Sequence, residues 1–87
     1  MRVVAEKVFL PKGQGSYGFK ASIFSWNEKL LLKLETGPLE QTYKFDMLAS
    51  ELNPGEIQAL LDEPQMVEKI QGAYIQMRQA LDLFNKK

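Results

Sequence analysis

The central part of the chain alternates between apolar and polar side chains with a period of two residues, which is typical of β-strands that bury one face. Two short connections interrupt the alternation, first Asn27-Glu28 and then a four-residue loop containing Gly37-Pro38. Both are short enough to join antiparallel strands. The pattern therefore predicts a three-stranded meander. Its segments span residues 17–26, 29–35 and 41–47.

Turn length sets the register of the predicted strands. A two-residue turn places Trp26 opposite Lys29, and the next loop places Lys29 opposite Asp46. A slip of one residue would mix apolar and polar side chains on both faces, so their clean separation supports this register. The predicted inner face consists of Phe19, Ala21, Ile23, Leu30, Leu32, Leu34, Tyr43, Phe45 and Met47. The predicted outer face consists of Lys20, Ser22, Phe24, Trp26, Lys29, Leu31, Lys33, Glu35, Thr42, Lys44 and Asp46.

The outer face is unusual for a solvated sheet surface. Its centre is apolar, with Phe24, Trp26 and Leu31, and around it the pattern places four lysines and two acids, a net charge of +2. Clusters of large apolar side chains on a surface often mark a binding site. The outer face is therefore the candidate functional surface.

The segments that flank the meander complete the predicted fold. Residues 2–10 are rich in Val and Phe and predict a first strand. Asn53 before Pro54 predicts a capped helix over residues 54–63, and apolar residues at alternating steps of three and four predict a long amphipathic helix over residues 66–84. We expect one α+β domain over residues 1–87, with a four-stranded antiparallel meander followed by a short helix and a long C-terminal helix.

The long helix carries three residues of interest outside its main apolar stripe. Ile75 and Leu83 lie on the far side of the helix, near Gly72, which would permit close approach of another helix. Scattered surface apolar residues are common and could also explain the pattern. We expect these three residues to contact a second copy of the chain in a homodimer.

Composition narrows the possible functions. The chain has no cysteine and no histidine, so it has no disulfide framework, no thiolate zinc site and no imidazole general base. Its carboxylates do not form a metal-binding run, and no apolar run is long enough to span a membrane. We therefore expect a cytoplasmic protein that is not an enzyme and that has no catalytic residues, no cofactor and no metal. The formal net charge of zero does not suggest a strongly basic nucleic-acid-binding protein.

The loop before the second strand contains glycines with the spacing G-x-G-x-x-G, at Gly13, Gly15 and Gly18. A dinucleotide-binding loop of this type must be followed by a helix, whereas here a strand follows. We expect a flexible hairpin loop. The alternative is that its backbone amides and Lys12 contact a phosphate group.

Three short segments carry a resemblance to a known family. They are the run from Lys20 to Glu35, the run Tyr43-Lys-Phe-Asp, and the run Leu52-Asn-Pro-Gly-Glu-Ile-Gln-Ala-Leu. In this order they resemble the single-stranded-DNA-binding domain of the positive-cofactor transcriptional coactivators and, more distantly, the whirly proteins. The resemblance covers residues 19–84. It implies a homodimer joined through its C-terminal helices, with a sheet that holds single-stranded nucleic acid in a role in transcription regulation.

Two functions follow as hypotheses for the same surface, and we choose the first, with the second as its alternative, because the first makes the sharper prediction. In the first, lysines track the phosphates of single-stranded nucleic acid while aromatic rings stack on bases. In the second, cross-strand pairs such as Lys20 with Glu35 neutralise each other, and the apolar centre binds another protein. The nucleic-acid-binding residues that the first hypothesis predicts are Lys12, Lys20, Phe24, Trp26, Lys29, Lys33 and Lys44.

Overall fold

The computed structural model describes residues 1–46 and 53–86, and it confirms the predicted α+β architecture. Four antiparallel strands lie side by side in the order in which they occur in the chain, and two helices follow. Residue 47, the predicted end of the fourth strand, lies outside the described residues. The elements are β1 (Arg2–Phe9), β2 (Phe19–Trp26), β3 (Lys29–Thr36), β4 (Leu39–Asp46), α1 (Pro54–Leu60) and α2 (Pro64–Asn85).

Both predicted strand registers are confirmed. Trp26 pairs with Lys29 across the first hairpin, and Lys29 pairs with Asp46 across the second. The turn between β2 and β3 has positive φ at both central residues, 48° at Asn27 and 61° at Glu28. This conformation matches the right-handed twist of the strands, although a glutamate in it costs roughly 1 kcal/mol.

The second hairpin is tighter than the predicted four-residue loop. Thr36 pairs with Leu39, so only Gly37-Pro38 connects the strands, and Gly37 has a φ of 56°. Glycine adopts this backbone conformation without steric cost. As a consequence, Glu40 is part of β4 and points to the outer face.

A bulge in β1 decides which of its side chains point outward. The register shifts between Val3, which pairs with Phe24, and Ala5, which pairs with Ile23. The extra residue changes the alternation of this strand, and that explains why its sequence alternates poorly. Beyond the bulge, Glu6 lies opposite Ser22 on the outer face.

The short helix begins as its capping residue predicts, whereas its end and the start of the long helix differ from the prediction. Asn53 Oδ1 accepts a hydrogen bond from the backbone N–H of Glu56 at 2.9 Å. α1 ends at Leu60 rather than at residue 63. α2 begins at Pro64 rather than at residue 66, because the first turn of a helix needs no N–H from proline.

The core lies between the inner face of the sheet and the helices, and Tyr74 of α2 is at its centre. Tyr74 is completely buried, its hydroxyl donates to the Leu34 carbonyl at 2.7 Å, and its ring lies 5.6 Å from that of Tyr17 and 6.1 Å from that of Phe19. The buried apolar residues are Phe9, Phe19, Ala21, Ile23, Leu30, Leu32, Leu34, Leu39, Ile57, Leu61, Ile70 and Tyr74.

Coverage of the inner face is incomplete at β4. Tyr43 points inward from this edge strand, next to the buried Leu32 of β3, yet its side chain is 43% exposed. The prediction that Tyr43 is an ordinary core residue is therefore wrong. The apolar pattern identifies the face on which a residue lies, but it does not identify which strands the helices cover.

Candidate functional site

The outer face carries no net charge, so the predicted net charge of +2 is wrong. The bulge in β1 and the tight second hairpin add Glu6 and Glu40 to this face, and β1 also adds Val3 and Val8. Charge is therefore balanced. The four lysines are Lys20, Lys29, Lys33 and Lys44, and the four carboxylates are Glu6, Glu35, Glu40 and Asp46.

Two of the four lysines form ion pairs with the added carboxylates. Lys20 Nζ lies 3.6 Å from Glu6 Oε1, and Lys33 Nζ lies 4.0 Å from Glu40 Oε1. Lys20 was expected to pair with Glu35, which lies opposite it across the hairpin, but its ion pair is formed with β1 instead. Exposed pairs of this kind contribute at most about 1 kcal/mol each. Their main effect is to neutralise one end of the outer face.

The apolar centre of the outer face spans three strands. Val3 of β1 pairs with Phe24 of β2, which in turn pairs with Leu31 of β3. Phe24 and Leu31 are half-buried, and Lys33 Nζ lies 5.6 Å from the centroid of the Phe24 ring. Trp26 is 49% exposed. Trp26 is therefore the open aromatic surface of this face, whereas the Phe24 ring is partly covered by Lys33.

The end of the outer face nearest the β2–β3 turn differs from the rest in its charge pairing. Lys29 lies opposite Trp26, and Lys44 lies opposite Leu31. Among residues 1–46 and 53–86, neither ammonium group has a carboxylate within 4 Å. Within the described part of the chain, Lys29 is thus an unpaired lysine opposite the exposed indole, and Lys44 is a second one, opposite Leu31 on the next strand.

Lys12 lies apart from the other predicted binding residues. Its ammonium group is 3.6 Å from the carboxylate of Asp62, which also lies 3.4 Å from Lys7 Nζ, on the helix side of the sheet. The glycine loop around it is held by Ser16, whose Oγ accepts from the Lys12 N–H at 2.8 Å and donates to the Gly13 carbonyl at 3.0 Å. The loop has the internal hydrogen bonds of a structured turn.

Gln71 of α2 anchors this loop, a role that its sequence context does not predict. Its Oε1 accepts from the Tyr17 N–H at 2.6 Å, and its Nε2 donates to the Tyr17 carbonyl at 2.8 Å. The only sequence signal is a polar residue that directly follows the core residue Ile70. That signal is too common in helices to identify such a contact.

The three predicted dimer residues lie on the exposed side of α2. Ile75 is 46% exposed and Leu83 is 66% exposed, and a Cβ added to Gly72 would meet no atom within 4 Å. Phe84, which continues the sheet-facing stripe of the helix, is 76% exposed. The C-terminal part of α2 therefore presents apolar side chains on both of its sides.

We also searched the described part of the chain for metal sites and for membrane-spanning helices. It contains no group of three or more acidic, cysteine or histidine side chains placed to hold a metal ion. None of the described helices is both long enough and apolar enough to cross a bilayer. Comparison with protein-family models, curated proteins and solved structures finds no match to this chain.

Proposed function

We propose that this protein is a non-enzymatic interaction module that binds another protein through its outer face. One observation carries the proposal. The apolar row of Val3, Phe24 and Leu31 is surrounded by equal numbers of lysines and carboxylates. An apolar centre containing aromatic residues, with a polar rim, is the usual composition of a protein–protein interface.

The charge balance favours a protein over a nucleic acid as the partner. Nucleic-acid affinity depends on cations that are available to neutralise phosphates, and here Lys20 and Lys33 are already paired with carboxylates. A rim of mixed charge instead suits a partner surface that also carries both signs of charge. Such a rim contributes specificity, while the apolar centre contributes most of the affinity.

Site-specific photocrosslinking tests the proposal. The photoreactive amino acid p-benzoylphenylalanine is placed at position 26 instead of Trp26. When cells that produce this variant are irradiated, we expect one discrete crosslinked adduct with another protein. The same adduct should be lost when Leu31→Asp is added, because a carboxylate at the centre of an apolar interface is costly to desolvate. Mass spectrometry of the adduct identifies the partner.

Tyr43 provides the matched control position. It is an aromatic residue with a similar exposed fraction, 43% against 49% for Trp26, but it lies on the opposite face of the sheet. A probe at Tyr43 should not yield the Trp26 adduct. Equal adducts from both positions, or an adduct that is insensitive to Leu31→Asp, would contradict the proposal.

Single-stranded nucleic acid is the second candidate ligand, and one observation favours it. The exposed indole of Trp26 lies opposite Lys29, and Lys44 lies on the next strand of the same face. Neither lysine is paired with a carboxylate among the described residues. The resemblance to the coactivator domain supports the same candidate.

Titration with an unstructured oligonucleotide separates the two candidates. Nucleic-acid binding should quench Trp26 fluorescence with a log–log salt slope near about −1.4, from two phosphates. Absence of quenching at low salt would eliminate this candidate, whereas quenching with that slope would overturn the first.

We also propose a homodimer formed through the exposed side of α2. The exposed Ile75 and Leu83, with Gly72 on the same helix, support this contact. The double variant Ile75→Glu plus Leu83→Glu is expected to halve the mass measured by light scattering, because four like charges would meet at the interface. The control, Ala59→Glu plus Asn85→Glu, adds the same charge at exposed positions outside this face of α2 and should stay dimeric. A monomeric wild-type protein would refute the dimer.

We place the protein in the cytoplasm and assign it no catalytic role. The absence of cysteine is compatible with a reducing compartment, and the absence of histidine leaves no side chain that ordinarily titrates near neutral pH. Fractionation of cells that produce the protein tests this location, and we expect the protein in the cytoplasmic fraction. The proposed binding function requires neither a cofactor nor a metal.

A further inference from the structure

A second surface feature lies on the opposite side of the sheet from the outer face. Where the helices leave β4 partly uncovered, the inner face of the sheet and the helices form a partly open cavity of about 370 Å³. This volume falls within the range of small-molecule binding sites. The residues that line it come from β3, β4 and both helices, and all but one are apolar or aromatic. They are Leu32, Leu34, Tyr43, Phe45, Ile57, Leu60, Leu61, Met66, Lys69 and Ile70.

The polar groups nearest the cavity already have partners within the protein. The Tyr43 hydroxyl donates to Gln41 Oε1 at 2.7 Å, and Gln41 Nε2 donates to the Ile70 carbonyl at 3.1 Å. Gln41 is buried, so this short network is fixed in place. A ligand that needs several hydrogen bonds, such as a sugar or a nucleotide, would find few donors or acceptors available here.

Lys69 is the exception among the lining residues. It lies on the exposed surface of α2, and among the described residues no carboxylate lies within 4 Å of its ammonium group. Several other cations near the helices do have partners, since Lys7 and Lys12 share Asp62 and Arg78 pairs with Asp82. An unpaired ammonium group at the edge of an apolar cavity is complementary to a ligand with an apolar body and one anionic end.

We propose that this cavity binds a medium-chain carboxylate, with the alkyl chain among Leu32, Phe45 and Ile57 and the carboxylate on Lys69. Burial of the chain provides most of the affinity, because each methylene group removed from water adds favourable free energy. The ion pair fixes the orientation of the ligand. The site lies on the side of the sheet opposite to Trp26, so the proposal is independent of the partner proposed for the outer face.

Isothermal titration calorimetry of the full chain with decanoate, below its micelle-forming concentration, tests the proposal. Saturable binding is expected at one site per chain. Octanoate, which is two methylene groups shorter, should bind about fifteenfold more weakly. Decanol should bind about fivefold more weakly than decanoate, since it keeps the chain but lacks the charge. Absence of saturable decanoate binding would overturn the proposal, as would equal affinity for decanol.

Two variants and a control locate the ligand. Lys69→Gln should lower decanoate affinity about fivefold and leave decanol affinity unchanged. Leu60→Trp, at a rim position that is 39% exposed, should block both ligands without unfolding the protein. Lys86→Gln removes an exposed lysine at the C-terminal end of α2 and should change neither affinity. Decanoate binding that is unaffected by both cavity variants would place the ligand elsewhere and refute this site.

Discussion

Replacing Tyr74 with alanine is expected to lower the free energy of unfolding by about 4 kcal/mol, the typical cost of removing a large buried aromatic side chain. Tyr74 is completely buried, and its ring contacts those of Tyr17 and Phe19. A domain of this length has a total stability of only about 5 to 10 kcal/mol, so the variant should be close to unfolding at 25 °C. Urea denaturation followed by circular dichroism measures the change.

Tyr43→Ala is the matched control for this prediction. Tyr43 also points to the inner face, but it is 43% exposed, so its loss should cost about 1 kcal/mol. Equal losses from the two alanine variants would contradict the assignment of Tyr74 as the centre of the core.

The Tyr74 hydroxyl makes a separate contribution that depends on pH. Burial, together with the negative charges of Tyr43, Glu35 and Glu40, raises the pKa of Tyr74 well above its ordinary value. Because the unfolded state releases this proton near pH 10 and the folded state retains it, stability should fall above pH 10 by up to about 1.4 kcal/mol per pH unit. Tyr74→Phe should be about 1 kcal/mol less stable than wild type at neutral pH. Its stability should not show the fall above pH 10 that the Tyr74 hydroxyl causes in wild type. Urea titrations of both proteins at pH 9 and pH 11 measure the difference.

Replacing Gln71 with alanine is expected to have the next largest effect, a loss of about 2 to 3 kcal/mol. The side-chain amide forms two hydrogen bonds with the backbone of Tyr17, at 2.6 and 2.8 Å, in a partly buried position. Removing it leaves both an N–H and a carbonyl without their partner, and each unsatisfied group is costly. Amide hydrogen exchange should also become faster in the glycine loop that precedes Tyr17, because the loop loses its anchor on α2.

Two further variants make this prediction specific. Gln71→Glu keeps an acceptor for the Tyr17 N–H but replaces the donor with a second oxygen that faces the Tyr17 carbonyl, so it should also be destabilising. Gln76→Ala removes an exposed glutamine from the same helix and should change stability by less than about 0.5 kcal/mol. A Gln71→Ala variant as stable as Gln76→Ala would mean that the contact with Tyr17 contributes nothing in solution.

The strand registers could be predicted from sequence because the side-chain period of a strand is two residues. A slip by one residue around Trp26 would have moved Phe24 into the interior and Ile23 out of it, and the sequence allows only one arrangement with a continuous apolar face. The start of α1 was predictable for a different reason, since Asn53 and Pro54 have strong positional preferences at the first turn.

The charge of the outer face could not be predicted in the same way. It depends on a bulge in β1 that turns Glu6 outward and on a tight turn that brings Glu40 into β4. Neither feature leaves a reliable signal in a single sequence, because a bulge changes the alternation that the prediction relies on. The contact of Gln71 with Tyr17 could not be predicted either, because it joins residues that are far apart in the chain and no local pattern marks it.

The order of the strands has a consequence for biosynthesis. Each strand of the sheet pairs with the next one to leave the ribosome, so the hairpins can close as soon as they are made. Ile70 and Tyr74, which cover the inner face, belong to the last helix and are synthesised after all four strands. Until then the nascent sheet exposes an apolar surface of the kind that chaperones bind. The aggregation risk during translation is thus set by the late arrival of one helix and not by slow strand pairing.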